Sequence, residues 1–353
     1  MNAASFIPAL TRGAVALVGT LIVGLIAVLA AGLDPVTTLQ AIIDGAVGTP
    51  YAIRQSLTEA VPVTLTALGV AVAFRAGLFN LGGEGQIYIG ALGAVGTALL
   101  FPELPSVLLI PFALAVGTFG GLVWGAIAGV LRAKLRLSEI ITTIMLNFIA
   151  FWIVSYLVHG PLKDPGGSGY PLTRETTTSA QLPVFGDLVP SGAVLMLVAA
   201  FCVWLLLERT STGIRIKGSG SSASASRFAG VSMSRVTILV MAVAGALAGL
   251  GGAVSLQGDQ HQLGDFFSPG WGFDAVAVAL IGRGTATGTF ITGVAVGALR
   301  SGIQSAQGTA EVPSSIAQIL LAAAVLFVIV GNAEGAGQMV RRSWSRTRGL
   351  ASD

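Results

Sequence analysis

The run Phe79-Asn80-Leu81-Gly82-Gly83-Glu84-Gly85-Gln86 passes at once into the apolar stretch from Ile87 to Phe101, setting a carboxylate among glycines at the edge of a membrane-length segment. Placing an ionised carboxylate in hydrocarbon costs several kcal/mol, so such a group faces a water-filled path, a partner or the headgroup boundary. Two readings of Glu84 follow. It caps a helix start near the cytoplasmic interface, where the helix dipole favours negative charge, or it lines a polar path through the membrane.

To either side of this run the chain is of one kind. Of its 353 residues, 54% are hydrophobic and 10% charged, with 48 glycines and a mean hydropathy of +0.84. Soluble globular domains carry about 25% charged residues, so the composition reads as an all-α polytopic membrane protein. Hydropathy divides the chain into ten spans near the roughly 20 residues a crossing helix needs: 13–33, 59–74, 82–101, 106–131, 138–158, 190–207, 236–256, 272–281, 284–299 and 313–330. The second, eighth and ninth are short. Tilted, broken or re-entrant segments suit them, which are tolerated where backbone is buried in protein or lines a cavity. The first span follows Arg12 and ends in Ala30-Ala31-Gly32 like a signal peptide, but its length favours retention as an anchor.

Charge orients these spans. With ten spans and the N-terminus inside, 15 of the 19 Lys and Arg residues fall on one side and only Arg54, Lys163, Arg174 and Arg300 on the other. Cytoplasmic loops concentrate these residues, so both termini are expected in the cytoplasm. The chain then reads as a single transmembrane domain over 1–353, with an extracytoplasmic loop at 159–189, a cytoplasmic loop at 208–234 and a basic cytoplasmic tail at 331–353. The basic residues lie in loops, which explains the high pI without nucleic acid; membrane lipid is the expected surroundings. Gly117, Gly121, Gly125 and Gly129 recur every four residues, and Gly245 with Gly249 and Gly293 with Gly297 repeat the spacing. Such ridges let helices approach closely in lipid, and they predict a compact bundle.

Several chemistries are absent. There is no Gly-x-x-x-x-Gly-Lys-Ser/Thr loop to cradle a nucleoside triphosphate. Gly218-Ser-Gly220-Ser-Ser-Ala223 fits a loose dinucleotide pattern without the strand and helix context it requires. One cysteine and two histidines give no basis for a disulfide or a histidine metal centre. No nucleophile, base and acid set stands out. The chain is expected to be no enzyme and to hold no cofactor of its own.

Three blocks, in order, are similar to one known family. Asn80-Leu-Gly-Gly-Glu84-Gly-Gln86 resembles the Asn-x-Gly-x-Glu-Gly-Gln segment of bacterial ABC importer permeases of the branched-chain amino acid permease-like family. Glu139-Ile-Ile-Thr-Thr-Ile-Met-Leu-Asn147 and Gly272-Phe273-Asp274-Ala-Val-Ala-Val-Ala-Leu280-Ile-Gly282 resemble its nucleoside and simple-sugar branch. The likeness runs from about 69 to 330 and implies a permease in the bacterial plasma membrane that binds no ATP itself. The implied partners are a separate ATPase subunit, a second permease completing a heterodimeric pore, and an external substrate-binding protein; nucleosides and sugars are the implied solutes.

In the loop 208–234, Thr212-Gly213-Ile-Arg215-Ile-Lys217, Gly220 and Arg227-Phe228-Ala229-Gly230 resemble the family's coupling segment, which docks on the ATPase. Where the family reads Asn-Pro, this chain has Ser222-Ala223. Serine caps a helix about as well as asparagine, and losing proline at the first helical position removes some rigidity. For the solute path the candidates are Asn80, Glu84, Gln86, Asn147 and Asp274, whose amides and carboxylates match sugar hydroxyls, with Phe148, Trp152 and Trp271 to stack on a base. The competing reading is that these polar groups satisfy broken backbone or tie helices together. The alternative function is an ion-coupled secondary transporter, which polar residues within spans favour and the long inner loop disfavours.

Overall fold

A computed structural model describes residues 28–323, apart from 168, 187, 311, 314, 317, 320 and 321, together with 22, 25 and 26. Most of the first and tenth expected spans and all of the basic tail lie outside the described residues. The chain divides into two compact units, Met1–Ser56 with Ala295–Asp353, and Leu57–Val294.

Eleven helices are assigned among the described residues: α1 Pro35–Ile43, α2 Pro50–Arg75, α3 Gly83–Leu100, α4 Ser106–Leu135, α5 Glu139–His159, α6 Ser191–Arg209, α7 Ser211–Ser221, α8 Ala223–Phe228, α9 Met233–Ser255, α10 Trp271–Ile281 and α11 Ala286–Thr309. Among the described residues five segments are long and apolar enough to cross a membrane, namely α2, α4, α5, α6 and α9 with its π-helical extension to Gln260. The ten-span count and the orientation go beyond this observation. α2 and α11 are longer than hydropathy indicates, starting at Pro50 and ending at Thr309. Polar residues such as Arg54, Gln55, Arg300 and Gln304 interrupt the apolar window but not the hydrogen-bonded helix. α10 is short, as expected, with 11 residues.

In the larger unit, burial separates an inner helix from outer ones. The apolar window of α2 is 89% buried, against 22% in α4 and 33% in α5. The outer helices therefore turn apolar side chains outward, as helices facing lipid must. Leu65, Leu68 and Val72 of α2 pack with Met196 and Val203 of α6, Ile216 of α7 and Val240 of α9. Along the α4–α9 seam the four-residue glycine ridge is in use: a methyl on Gly121 or Gly125 would run into the carbonyls of Gly245 or Met241. Small residues thus set helix spacing where apolar burial gives no drive for association.

The loop 159–189 has little regular structure, a 3₁₀ turn at Thr178–Ala180 and a two-residue antiparallel ribbon of β1 Val184–Phe185 with β2 Val189–Pro190. It does more than link two helices. The Thr173 N–H donates to the Leu263 carbonyl at 3.0 Å, Thr176 to His261 at 2.9 Å and Leu182 to Gln257 at 2.8 Å. These bonds splint the segment between α9 and α10, whose backbone groups would otherwise need water.

In the smaller unit, Asp34 opens α1. Its carboxylate accepts from the N–H groups of Val36 at 3.3 Å and Thr37 at 3.1 Å, ahead of Pro35 at the first helical position, where its missing donor costs nothing. A π-helical turn, Asp44–Gly48, follows. There Gly45 and Gly302 allow close contact with α11: a methyl on Gly45 would run into Ser305, and one on Gly302 into the Ile42 carbonyl.

Candidate functional site

Two helices begin at the same place inside the larger unit. α3 starts at Gly83, and α10 starts at Trp271. Their first turns are in backbone contact, since a methyl on Gly272 would run into the Glu84 N–H, and one on Gly83 would lie 3.3 Å from Gly272 Cα. Each start presents unbonded N–H groups and a positive dipole end. Glu84, half-buried in the first turn of α3, meets this need across the gap: its Oε2 accepts from the Gly272 N–H at 2.7 Å. The carboxylate caps the neighbouring helix.

The amides around it are committed to the scaffold. Asn80 Nδ2 donates to Gln86 Oε1 at 3.1 Å, and Asn80 Oδ1 accepts from the Gly82 N–H at 2.9 Å; both side chains are 1% exposed. Asn147 of α5 reaches the same break, with Oδ1 accepting from the Gly85 N–H at 2.9 Å and Nδ2 donating to the Leu81 carbonyl at 2.8 Å. Asn80 and Asn147 thus satisfy broken backbone, Gln86 holds Asn80 in place, and Asn147 ties α3 to α5.

Trp271 is buried, and its Nε1–H donates to Glu59 Oε2 at 3.3 Å. Asp274 lies in the first turn of α10 and is half-buried, near enough for its charge to act on Glu84. The structure therefore gathers Asn80, Glu84, Gln86, Asn147, Trp271 and Asp274 around one junction. It sets Phe148 and Trp152 elsewhere: they are 57% and 65% exposed on the outer side of α5.

Sequence reasoning passed over several members of this junction. Glu59 is 5% exposed within α2, three residues before Pro62. A carboxylate inside an otherwise apolar run was its signal, obscured because hydropathy put the span edge there. Tyr88, one turn beyond Glu84, donates its hydroxyl to the Asp265 carbonyl at 2.7 Å and packs edge-on to Phe151 and Phe267. Thr143 accepts from the Leu81 N–H at 3.3 Å. Among the described residues no group of three or more His, Cys, Asp and Glu side chains is placed to hold a metal ion.

The second set of candidates forms a helical pair on the loop 208–234. Thr210 caps α7, accepting from the Gly213 N–H at 3.0 Å while donating to the Leu206 carbonyl at 2.6 Å. Ser222 caps α8, accepting from the Ala225 N–H at 3.3 Å, so the helix start survives without the proline. This places Gly218 to Ala223 in helix ends, not in a nucleotide-binding turn. The underside is fixed: Ile216 is buried in the core, and Gly213 and Gly220 press against the backbones of Leu206 and Arg75 so closely that a methyl would collide. Lys217 Nζ lies 2.9 Å from Glu208 Oε2. The other face is open, with Arg215, Arg227, Ala229 and Gly230 exposed and Phe228 95% exposed.

Residues 52–330 match the family described as branched-chain amino acid transport system / permease component. The chain is 33% identical to a glucose ABC transporter permease protein of Haloferax volcanii, over 88% of this chain and 84% of that protein. It is 32% identical to a nucleoside ABC transporter permease protein of Lactococcus lactis, over 90% and 89%, and 30% identical to the guanosine ABC transporter permease protein of Bacillus subtilis, over 89% and 91%. No solved structure matches it.

Proposed function

This chain belongs to the branched-chain amino acid transport permease family and is a permease component of an ABC importer, and from that premise we propose that it carries nucleosides or related small polar solutes inward. The observation that carries the choice of solute is its similarity, over about nine tenths of both chains, to nucleoside and guanosine permease proteins.

In this reading the whole chain is one transmembrane domain with ten spans and both termini in the cytoplasm of a bacterial cell. A separate ATPase subunit hydrolyses ATP, a second permease completes the pore, and an external binding protein delivers the solute. No cofactor is held on this chain. The α7–α8 pair is the coupling element. Its buried underside moves with α2 and α6 as a rigid body, and its exposed face, Arg215, Arg227 and Phe228, with Gly213, Lys217, Gly220, Ala229 and Gly230 shaping it, sits on the ATPase. Rigid-body transmission of this kind needs two discrete arrangements of a packed element.

The Glu84 junction is the solute-facing element. Two helix starts, Glu84 and Asp274 form a polar break inside an apolar bundle, a kind of backbone tolerated at membrane depth only where it is buried in protein or lines a cavity. Asn80, Gln86, Asn147 and Trp271 hold that break in shape. Phe148 and Trp152 lie on the outward face of α5, which suits contact with lipid or the second permease better than with solute.

Reconstitution in liposomes with the second permease, the ATPase and the binding protein tests the reading through uptake of labelled guanosine and glucose. ATP-dependent guanosine uptake is the expected result. Glucose uptake alone moves the solute to sugars. Uptake that follows an ion gradient and ignores ATP replaces the proposal with a secondary transporter.

A further inference from the structure

The smaller unit contains an open cleft of about 880 Å³ that belongs to neither element described above. That volume falls in the range of small-molecule sites. Its walls are the polar side of α1 with the following π-helical turn, the start of α2 and the end of α11. Gln40, Asp44, Gln55, Gln304, Ser305 and Thr309 line it.

Three features make it a built site. Its floor is rigid: Gly45 and Gly302 bring α1 and α11 into contact, Ser301 Oγ donates to the Gly45 carbonyl at 3.2 Å, and Ser56 Oγ donates to the Ala46 carbonyl at 2.7 Å. One wall is a π-helical turn, a distortion that recurs at functional sites. Finally, α1 is two-faced. Val36, Leu39 and Ile43 are exposed on one side, while Thr37, Gln40 and Asp44 face the cleft. A short helix with this pattern rests its apolar side on lipid at the membrane surface, leaving the cleft open to water.

We propose that this cleft is an entry site for a neutral polyhydroxylated solute, the ribosyl or hexosyl part of the molecule being transported. Amides supply donors and acceptors together, hydroxyls do the same, and a carboxylate accepts from two hydroxyls at once; this set matches a sugar ring. Among the described residues no Lys or Arg lines the cleft; Arg54 lies over the Tyr51 ring instead, 5.1 Å from its centre. Among the described lining residues Asp44 is the charged one, so a phosphorylated solute would meet a like charge there. The site accepts nucleosides and rejects nucleotides.

The inference rests on the permease reading, and its test separates the two. In the assembled transporter in nanodiscs, Gln304→Cys in a Cys202→Ser background is labelled with a polar maleimide. Guanosine is expected to slow labelling several-fold, and guanosine monophosphate to leave it unchanged. Gln304→Trp, which adds bulk inside the cleft, is expected to lower ATP-driven uptake about tenfold in liposomes with saturating loaded binding protein, while the complex still assembles, read by co-purification. Equal protection by nucleoside and nucleotide overturns the claimed selectivity. If the parent complex takes up guanosine while labelling is unprotected and Gln304→Trp transports normally, the cleft is not on the path and the permease reading stands. If the parent complex takes up no solute with ATP, the permease reading falls and takes this inference with it.

Discussion

The Glu84 junction and the α7–α8 pair are made from the same parts, a helix start, close-packed glycines and a few polar side chains, yet they finish in opposite states. At the junction nearly every amide is bonded inward, to backbone or to its neighbour. On the helical pair the caps are bonded, and Phe228 is left 95% exposed. A polar group inside an apolar bundle must find a partner in its own chain, because an orphaned one costs ~1–3 kcal/mol. An outward face carries no such demand, and that of α7 and α8 is where the proposed ATPase contact lies.

Both regions should demand glycine. Gly272→Val and Gly220→Val each force a side chain into backbone, and each is expected to cost ~3 kcal/mol or more, the upper range for overpacking, seen as loss of folded protein in thermal unfolding of the purified complex. A tolerant Gly220→Val would mean that the underside of α7 yields, and that the two regions are less alike than their packing indicates.

The next effect separates them. Glu84→Ala orphans the Gly272 N–H and should lower stability by ~2 kcal/mol, whereas Glu84→Gln keeps an acceptor and should lose much less. Equal losses would show that the charge matters beyond the bond. Phe228→Ala, by contrast, should leave unfolding unchanged and weaken ATPase binding about tenfold, or ~1.4 kcal/mol, read by co-purification and by uptake. A stability loss there instead would mean that Phe228 packs within the chain.

Caps give smaller effects. Ser222→Ala should cost ~1 kcal/mol at the start of α8, while Ser222→Asn should be near neutral; uptake will fall with the first if the orientation of α8 carries the coupling. Asp34 gives the smallest. The Thr37 and Val36 amides hold its carboxyl below the ordinary value of 3.8, so its cap is at full strength above that value and is lost as the pH falls through the lower folded value. Asp34→Asn should remove that dependence from amide exchange in α1, with no effect near neutral pH.

Legibility in the sequence followed the range of the interaction. The membrane class, the middle spans and the glycine ridges of α4 and α9 were readable because each rests on composition or on spacing within one helix. Ser222 was readable as a cap because its partner is three residues away. Glu59 was not, since its meaning depends on Trp271, 212 positions along the chain. Nor was Glu84 fully: a cap was one expected role, but the helix it caps across the gap is α10, and no local rule names Gly272. Asn80, Gln86 and Asn147 invited two readings, solute contact or support of broken backbone; the geometry gives Asn80 and Asn147 backbone partners and pairs Gln86 with Asn80.

The sequence alone determined that this chain lives in a membrane, where α3 to α6, α9 and α10 lie to within a few residues, and which three blocks tie it to its family, because hydrophobic transfer and helix capping act on neighbours. Only the tertiary structure decided that two helices start face to face on one carboxylate, that the loop 159–189 splints the segment before α10, and that α1 and α11 enclose a polar cleft. Those arrangements depend on backbone groups far apart in sequence that must satisfy one another once water is excluded.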